Sequence, residues 1–206
     1  FGNYLIYDAY ALGNPYEIHS VYFDTSDWQA FYTKIDGNQR RQKFRVRSYV
    51  PNPKPKDTVY LEVKEKSNST VYKRRSSMTL SEAQEVILGH QIKQHSPVID
   101  EWRFAVLKNS LKPKLLNSYS RFAFNSEHFP GLRVTIDQNL SFAMVQDLDF
   151  TKQTRSAYWA YGKSVIEVKF DRYVPQFILD IIRKYNLTQT PVSKYCDSVI
   201  THFLLL

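Results

Sequence analysis

Basic side chains at every second position mark Lys43-Phe44-Arg45-Val46-Arg47 as a strand with three cations on one face and two hydrophobes on the other. Arginine offers a planar fork that matches phosphate oxygens, and lysine a mobile point charge. The same parity returns with acids mixed in: Glu62, Lys64 and Lys66, then Lys73 and Arg75, then Tyr119 and Arg121. Arg133 with Asp137 and Glu167 with Lys169 complete the set. Two like charges about 7 Å apart repel by roughly 2 kcal/mol at an effective dielectric of about 20. One such strand is ordinary on a solvated antiparallel sheet. Four or five of them, with many cations and few acids, describe a channel for phosphate. Glu62, Asp137 and Glu167 have two readings: they pair with neighbouring Lys or Arg, or they coordinate a divalent ion such as Mg2+ or Mn2+ together with phosphate oxygens.

Alternating patterns that place these residues predict strands over Tyr16–Phe23, Arg40–Val50, Thr58–Lys66, Thr70–Met78, Leu115–Phe124, Leu132–Phe142 and Ser164–Phe170. Asp24-Thr25-Ser26-Asp27 supplies cap chemistry before Trp28, Phe31, Tyr32 and Ile35 at helical spacing, and Asp36-Gly37-Asn38 ends that helix. Thr79-Leu80-Ser81-Glu82 opens a helix to about Leu88, closed by Gly89. Further helices are predicted over Ile99–Ser110, with Trp102, Val106 and Leu107 facing in, and over Pro175–Tyr185 and Ser193–Leu205. The polar stretch Val145–Lys163, with Arg155, Tyr158, Trp159 and Tyr161, has no clear period and reads as a functional loop. The fold class is therefore α+β: an antiparallel β-barrel with a polar cationic lumen and helices packed outside, in one domain over residues 1–206.

A formal net charge of +8 over 206 residues favours an anionic partner. The single cysteine, Cys196, excludes an intrachain disulfide and a cysteine-rich zinc site, and reducing surroundings suit it. Histidines 19, 90, 95, 128 and 202 lack ligand spacing and read as surface or packing residues. No apolar run approaches the roughly 18 residues of a membrane span, so this stretch reads as soluble. Tyr22, Phe23, Trp28 and Phe31 read as packing residues rather than a stacking platform, which argues against nucleic acid.

Seven segments in order carry a resemblance. They are Tyr16-x-Ile18-x-Ser20-x-Tyr22-Phe23-Asp24-Thr25, Lys43-Phe44-Arg45-x-Arg47-x-Tyr49, Leu61-Glu62-x-Lys64-x-Lys66, Tyr119-x-Arg121, Arg133-x-x-x-Asp137, Glu167-Val168-Lys169 and Ser193-Lys194-Tyr195. Together they resemble the polyphosphate polymerase domain of the vacuolar transporter chaperone (VTC) complex, a triphosphate tunnel metalloenzyme. The resemblance implies transfer of the γ-phosphoryl group of ATP to a growing polyphosphate, in cytoplasm or at the cytoplasmic face of a membrane, with any membrane partner outside this stretch. It implies that Arg45, Arg47, Lys64, Arg121, Arg133 and Lys194 act on phosphates at the catalytic centre. Tyr119 and Ser193 would orient them and Glu167 would hold Mn2+ or Mg2+; strand parity adds Lys43, Glu62, Lys66, Lys73 and Lys169 to the binding set, and Asp137 stands as a second metal candidate. Two departures stand out: a further strand and helix with a Glu-x-Lys-Tyr motif would precede Phe1, and Pro191 occupies a position where some members carry another lysine. The competing expectations are a tunnel triphosphatase and a non-catalytic polyanion-binding module.

Overall fold

In the computed structural model, which describes residues 4–11, 13–152, 154–156 and 162–204, the chain forms an α+β fold around one antiparallel sheet. Strand β1 (Ile6–Tyr7) pairs with β6 (Lys112–Asn125), an element with no counterpart in the sequence-based expectation. The main path runs β5 (Thr70–Thr79), β4 (Thr58–Ser67), β3 (Arg40–Ser48), β2 (Tyr16–Asp24), β6, β7 (Arg133–Met144) and β8 (Arg155–Ser156). Strand β9 (Val165–Lys169) adds to β7 beside β8. The sheet curls into a half barrel, and among the described residues no ladder joins β5 to β9.

Alternation decides which side of the curl each residue meets. On β3 and β4 the apolar set Phe44, Val46, Val59, Leu61 and Val63 faces outward onto α2 (Leu80–Ile87) and α3 (Pro97–Asn109), where Trp102 is wholly buried. Helix α2 starts on a complete capping box: the Thr79 hydroxyl accepts from the Glu82 N–H while the Glu82 carboxylate accepts from the Thr79 N–H. Helix α4 (Gln176–Lys184) covers Val134 and Leu132 through Ile178. Helix α5 (Lys194–Leu204) packs differently. Its Tyr195, Cys196 and Val199 sit on Ile18, Tyr22, Leu115, Tyr119 and Phe142, closing one part of the concave side.

Several boundaries differ from expectation for local reasons. Strand β3 stops at Ser48 because its hydroxyl turns back on Val50, bonding both the N–H and the C=O of that residue. Trp28 lies before α1 (Gln29–Ile35) with a left-handed backbone, φ 61°, and the cap comes from farther back: the buried Asp24 carboxylate accepts from the N–H groups of Ala30 and Phe31. Leu107, expected inside, is 65% exposed, because the inward stripe of α3 runs through Val98, Ile99, Trp102 and Ala105. In the loop after β7, Val145 and Phe150 join the outer core; Tyr158, Trp159, Tyr161 and the Arg155 side chain lie outside the described residues. No described helix is long and apolar enough to cross a membrane.

Candidate active site

The concave side of the half barrel holds a cavity of about 850 Å3. Thirteen basic side chains and two acidic ones line it, so the sequence parity translates into one strongly cationic surface. Register explains how. Across β3, β4 and β5, Arg45 lies opposite Glu62 and Glu62 opposite Arg75; one step along, Lys43 lies opposite Lys64 and Lys64 opposite Lys73. The first row is charge-balanced at its centre. The second is three lysines abreast, and directly opposed like charges destabilise a sheet. Burial, reinforced by Arg45 and Lys43, holds the Lys64 ammonium below the usual lysine range despite Tyr22. Burial also lowers Lys73, with Lys169 and Lys64 adding to it. Neither lysine has an ion-pair partner among the described residues.

The arginines, in contrast, are rigidly held. Arg45 bonds the Glu62 carboxylate through Nε and Nη2, both at 2.6 Å, and Arg47 approaches the other oxygen at 3.6 Å while its Nε reaches the Ser20 hydroxyl at 3.3 Å. Burial works to raise the Glu62 pKa, yet Arg45 and Arg47 bring it below the usual carboxylate range. Arg121 forks onto Asp137 at 2.6 and 2.7 Å, and Lys194 reaches the same carboxylate at 2.7 Å. The Tyr119 ring supports both cations, with Lys194 at 4.8 Å and the Arg121 guanidinium at 5.3 Å from its centroid. Lys43 donates to the Ser193 hydroxyl at 3.0 Å, just before α5, and lies 3.1 Å from the Cys196 sulfur.

Most of the expected residues therefore converge: Lys43, Arg45, Arg47, Glu62, Lys64, Lys66, Lys73, Tyr119, Arg121, Glu167, Lys169, Ser193 and Lys194 all line the cavity. Arg133 does not; Asp8 holds its Nη2 at 2.8 Å and Asn125 its Nη1 at 3.1 Å. Asp137, expected as a metal ligand, is fully buried with both oxygens engaged by Arg121 and Lys194, and it serves as an anchor for those cations. Burial would raise its pKa, but those two partners keep it low.

Glu62 is likewise occupied, whereas Glu167 is half exposed and has Lys169, at 3.3 Å, as its ion-pair partner among the described residues. Burial opposes its charge, and Lys169 outweighs it, holding the carboxyl below its usual range. No group of three His, Cys, Asp or Glu side chains comes together at metal-binding spacing among the described residues. One open carboxylate fits Mg2+ or Mn2+ in a site where phosphate oxygens supply most ligands.

The structure adds residues that the sequence reading passed over. Arg41 continues the odd-numbered face of β3 and Lys34 projects from α1; both line the cavity. The parity of Arg41 was visible in the sequence, while Lys34 carried no signal. Tyr22, read as packing, does pack on Tyr195 with ring centroids 5.1 Å apart, and its hydroxyl also accepts from Arg45 at 2.9 Å. The phenolic proton has no acceptor among the described residues, so it is available to a ligand oxygen. Burial would raise the Tyr22 pKa, but Arg45 and Arg47 prevail and lower it, which strengthens the donor. Tyr195 in turn donates to Asp24 at 2.5 Å, fixing α5 against the cap of α1.

The VTC domain family model matches residues 2–203. No curated protein matches the chain. Among solved structures, a "putative adenylate cyclase" from Bacillus halodurans shares the fold with a TM-score of 0.51 at 15% identity, over 88% of this chain and 81% of that one.

Proposed function

The chain belongs to the VTC domain family, and on that premise we propose that it is an ATP-dependent polyphosphate polymerase. The observation that carries the reading is the row Lys43, Lys64 and Lys73, which has no carboxylate partner among the described residues, beside guanidiniums already fixed by carboxylates. A phosphate chain supplies the charge that this row lacks.

Phosphoryl transfer passes through a loose transition state, so alignment and charge neutralisation do most of the work. The bond between the γ-phosphorus and the bridging oxygen to the β-phosphate breaks, a terminal oxygen of the polyphosphate forms the new bond, and ADP leaves. Arg45, Arg47 and Arg121 need no reorganisation to meet the developing charge, because Glu62 and Asp137 already hold their planes. Tyr22 donates its free proton to a phosphate oxygen. Lys64 and Lys73 follow the chain as it advances, being mobile point charges, while Lys43, seated on Ser193, and Lys194, anchored on Asp137, meet it from fixed positions. A divalent cation, when bound, would be held by Glu167 and would neutralise phosphate charge. Arg133, bound to Asp8, supports the edge of the site from outside the cavity.

The test is to incubate the protein with ATP and Mn2+ and resolve the products by gel electrophoresis. A ladder of phosphate chains with stoichiometric ADP is the expected result. A second reading, hydrolysis of a short phosphate chain, draws on the half-exposed Glu167 carboxylate, which solvent reaches at the cavity lining. Orthophosphate without polymer would establish it. Binding of tripolyphosphate with neither product would leave a non-catalytic polyanion module.

A further inference from the structure

The two ends of the concave side differ in chemistry. Toward one end, past the lysine row, Arg41 lies opposite Lys66, and Lys34 of α1 lines the same cavity; no carboxylate lines it near them on β3, β4 or β5. Toward the other end, past Glu62, Arg47 lies opposite Tyr60. Here the cations give way to aromatic rings. Tyr49 packs edge to face against Tyr16, with centroids 6.0 Å apart at 63°, and against Tyr60, 5.6 Å apart at 74°. The Arg75 guanidinium lies 5.1 Å from the Tyr60 ring, tying this cluster to the cavity lining. Tyr49 is 39% exposed. An edge-to-face contact covers one face of one ring, Arg75 takes a face of Tyr60, and the exposed part of Tyr49 leaves ring surface on which a planar base stacks whatever its identity.

Resting on the polymerase reading above, we infer that the site is directional: the nucleobase of a nucleoside triphosphate stacks at the Tyr49–Tyr60 end, and the phosphate chain runs past Arg47 and Arg45 to the Arg41–Lys66 end. A nucleotide has one planar aromatic end and one polyanionic end, and the site offers one partner for each. The reverse orientation would set phosphate against ring faces, whose quadrupole repels anions, and would bury a neutral base among unpaired lysines.

Calorimetric titration of ATP, ribose 5-triphosphate, tripolyphosphate and a long-chain polyphosphate tests this direction. The unmodified protein should bind ATP about tenfold tighter than ribose 5-triphosphate, the scale of one base stacked on an aromatic ring. Tyr49→Ala should abolish that preference without changing the affinity for tripolyphosphate, and Tyr49→Phe should keep it. Arg41→Gln should weaken the long chain several-fold and leave ATP and tripolyphosphate within twofold. Equal binding of ATP and ribose 5-triphosphate by the unmodified protein would overturn the base subsite, a result that does not depend on any variant folding. Loss of ATP and tripolyphosphate affinity in Arg41→Gln equal to the loss for the long chain would overturn the direction. Failure of the unmodified protein to bind any of the four would instead remove the polymerase reading itself.

Discussion

Charged side chains in this protein fall into two kinds, those held by a partner and those left for a ligand. Asp137 belongs to the first. Replacing it with Asn keeps its shape but strips the charge that Arg121 and Lys194 share, so unfolding in urea should show a loss of about 3 kcal/mol, the scale of breaking a buried pair. Lys64 belongs to the second. Its folded-state pKa lies below the unfolded value, so just below the ordinary lysine range the unfolded chain binds more protons than the folded one. Stability therefore gains a contribution as pH rises through that window. Lys64→Gln should remove this contribution: the difference in melting temperature between variant and parent, positive near neutral pH, should shrink as pH rises toward 10. Tripolyphosphate affinity should move the opposite way in the parent, weakening over the same window as the ammonium discharges.

At the scale of elements, the site depends on where alternation holds and where it breaks. On β3, β4 and β5 the parity is continuous, which is why Lys43, Arg45, Arg47, Glu62, Lys64, Lys66 and Lys73 could all be placed from the sequence. On β7 it is not. Ser118 pairs with Ser141 and Ser120 with Gln138, so β7 carries one extra residue there, with Asn139 at φ 54°. Before this bulge the odd residue Asp137 faces Arg121; after it the even residues Leu140 and Phe142 face α5. The bulge lets one strand serve the charged centre and the apolar seat of α5. Asn139→Val, a β-branched residue in a left-handed conformation, should cost about 1–2 kcal/mol in thermal or urea unfolding. Because the strain falls at the switch, tripolyphosphate affinity should fall with stability in this variant. Thr79→Ala, on the remote capping box, should cost about 1 kcal/mol and leave affinity intact.

For the whole molecule, a concave surface lined by thirteen cations and two acids is a fold held together against its own charge. A ligand that binds only the folded state stabilises it by mass action, by about 2.7 kcal/mol at a hundredfold excess over Kd. Tripolyphosphate should accordingly raise the melting temperature by several degrees, and added salt should shrink that rise by screening the cations. Alternation and local hydrogen bonding alone set the α+β class, the seven longer strands, the helix caps at Asp24 and Thr79 and the shared face of the cations, but not the two-residue strands β1 and β8. The sequence by itself could not determine which cations stay free. That depends on cross-strand register, which sets Glu62 between Arg45 and Arg75 but sets Lys64 between two lysines, and on long-range pairs such as Arg133 with Asp8 and Lys194 with Asp137. Tertiary structure alone also seated α5 inside the curl and gathered Tyr16, Tyr49 and Tyr60 at one end, since contacts between distant segments leave no periodic trace in the chain.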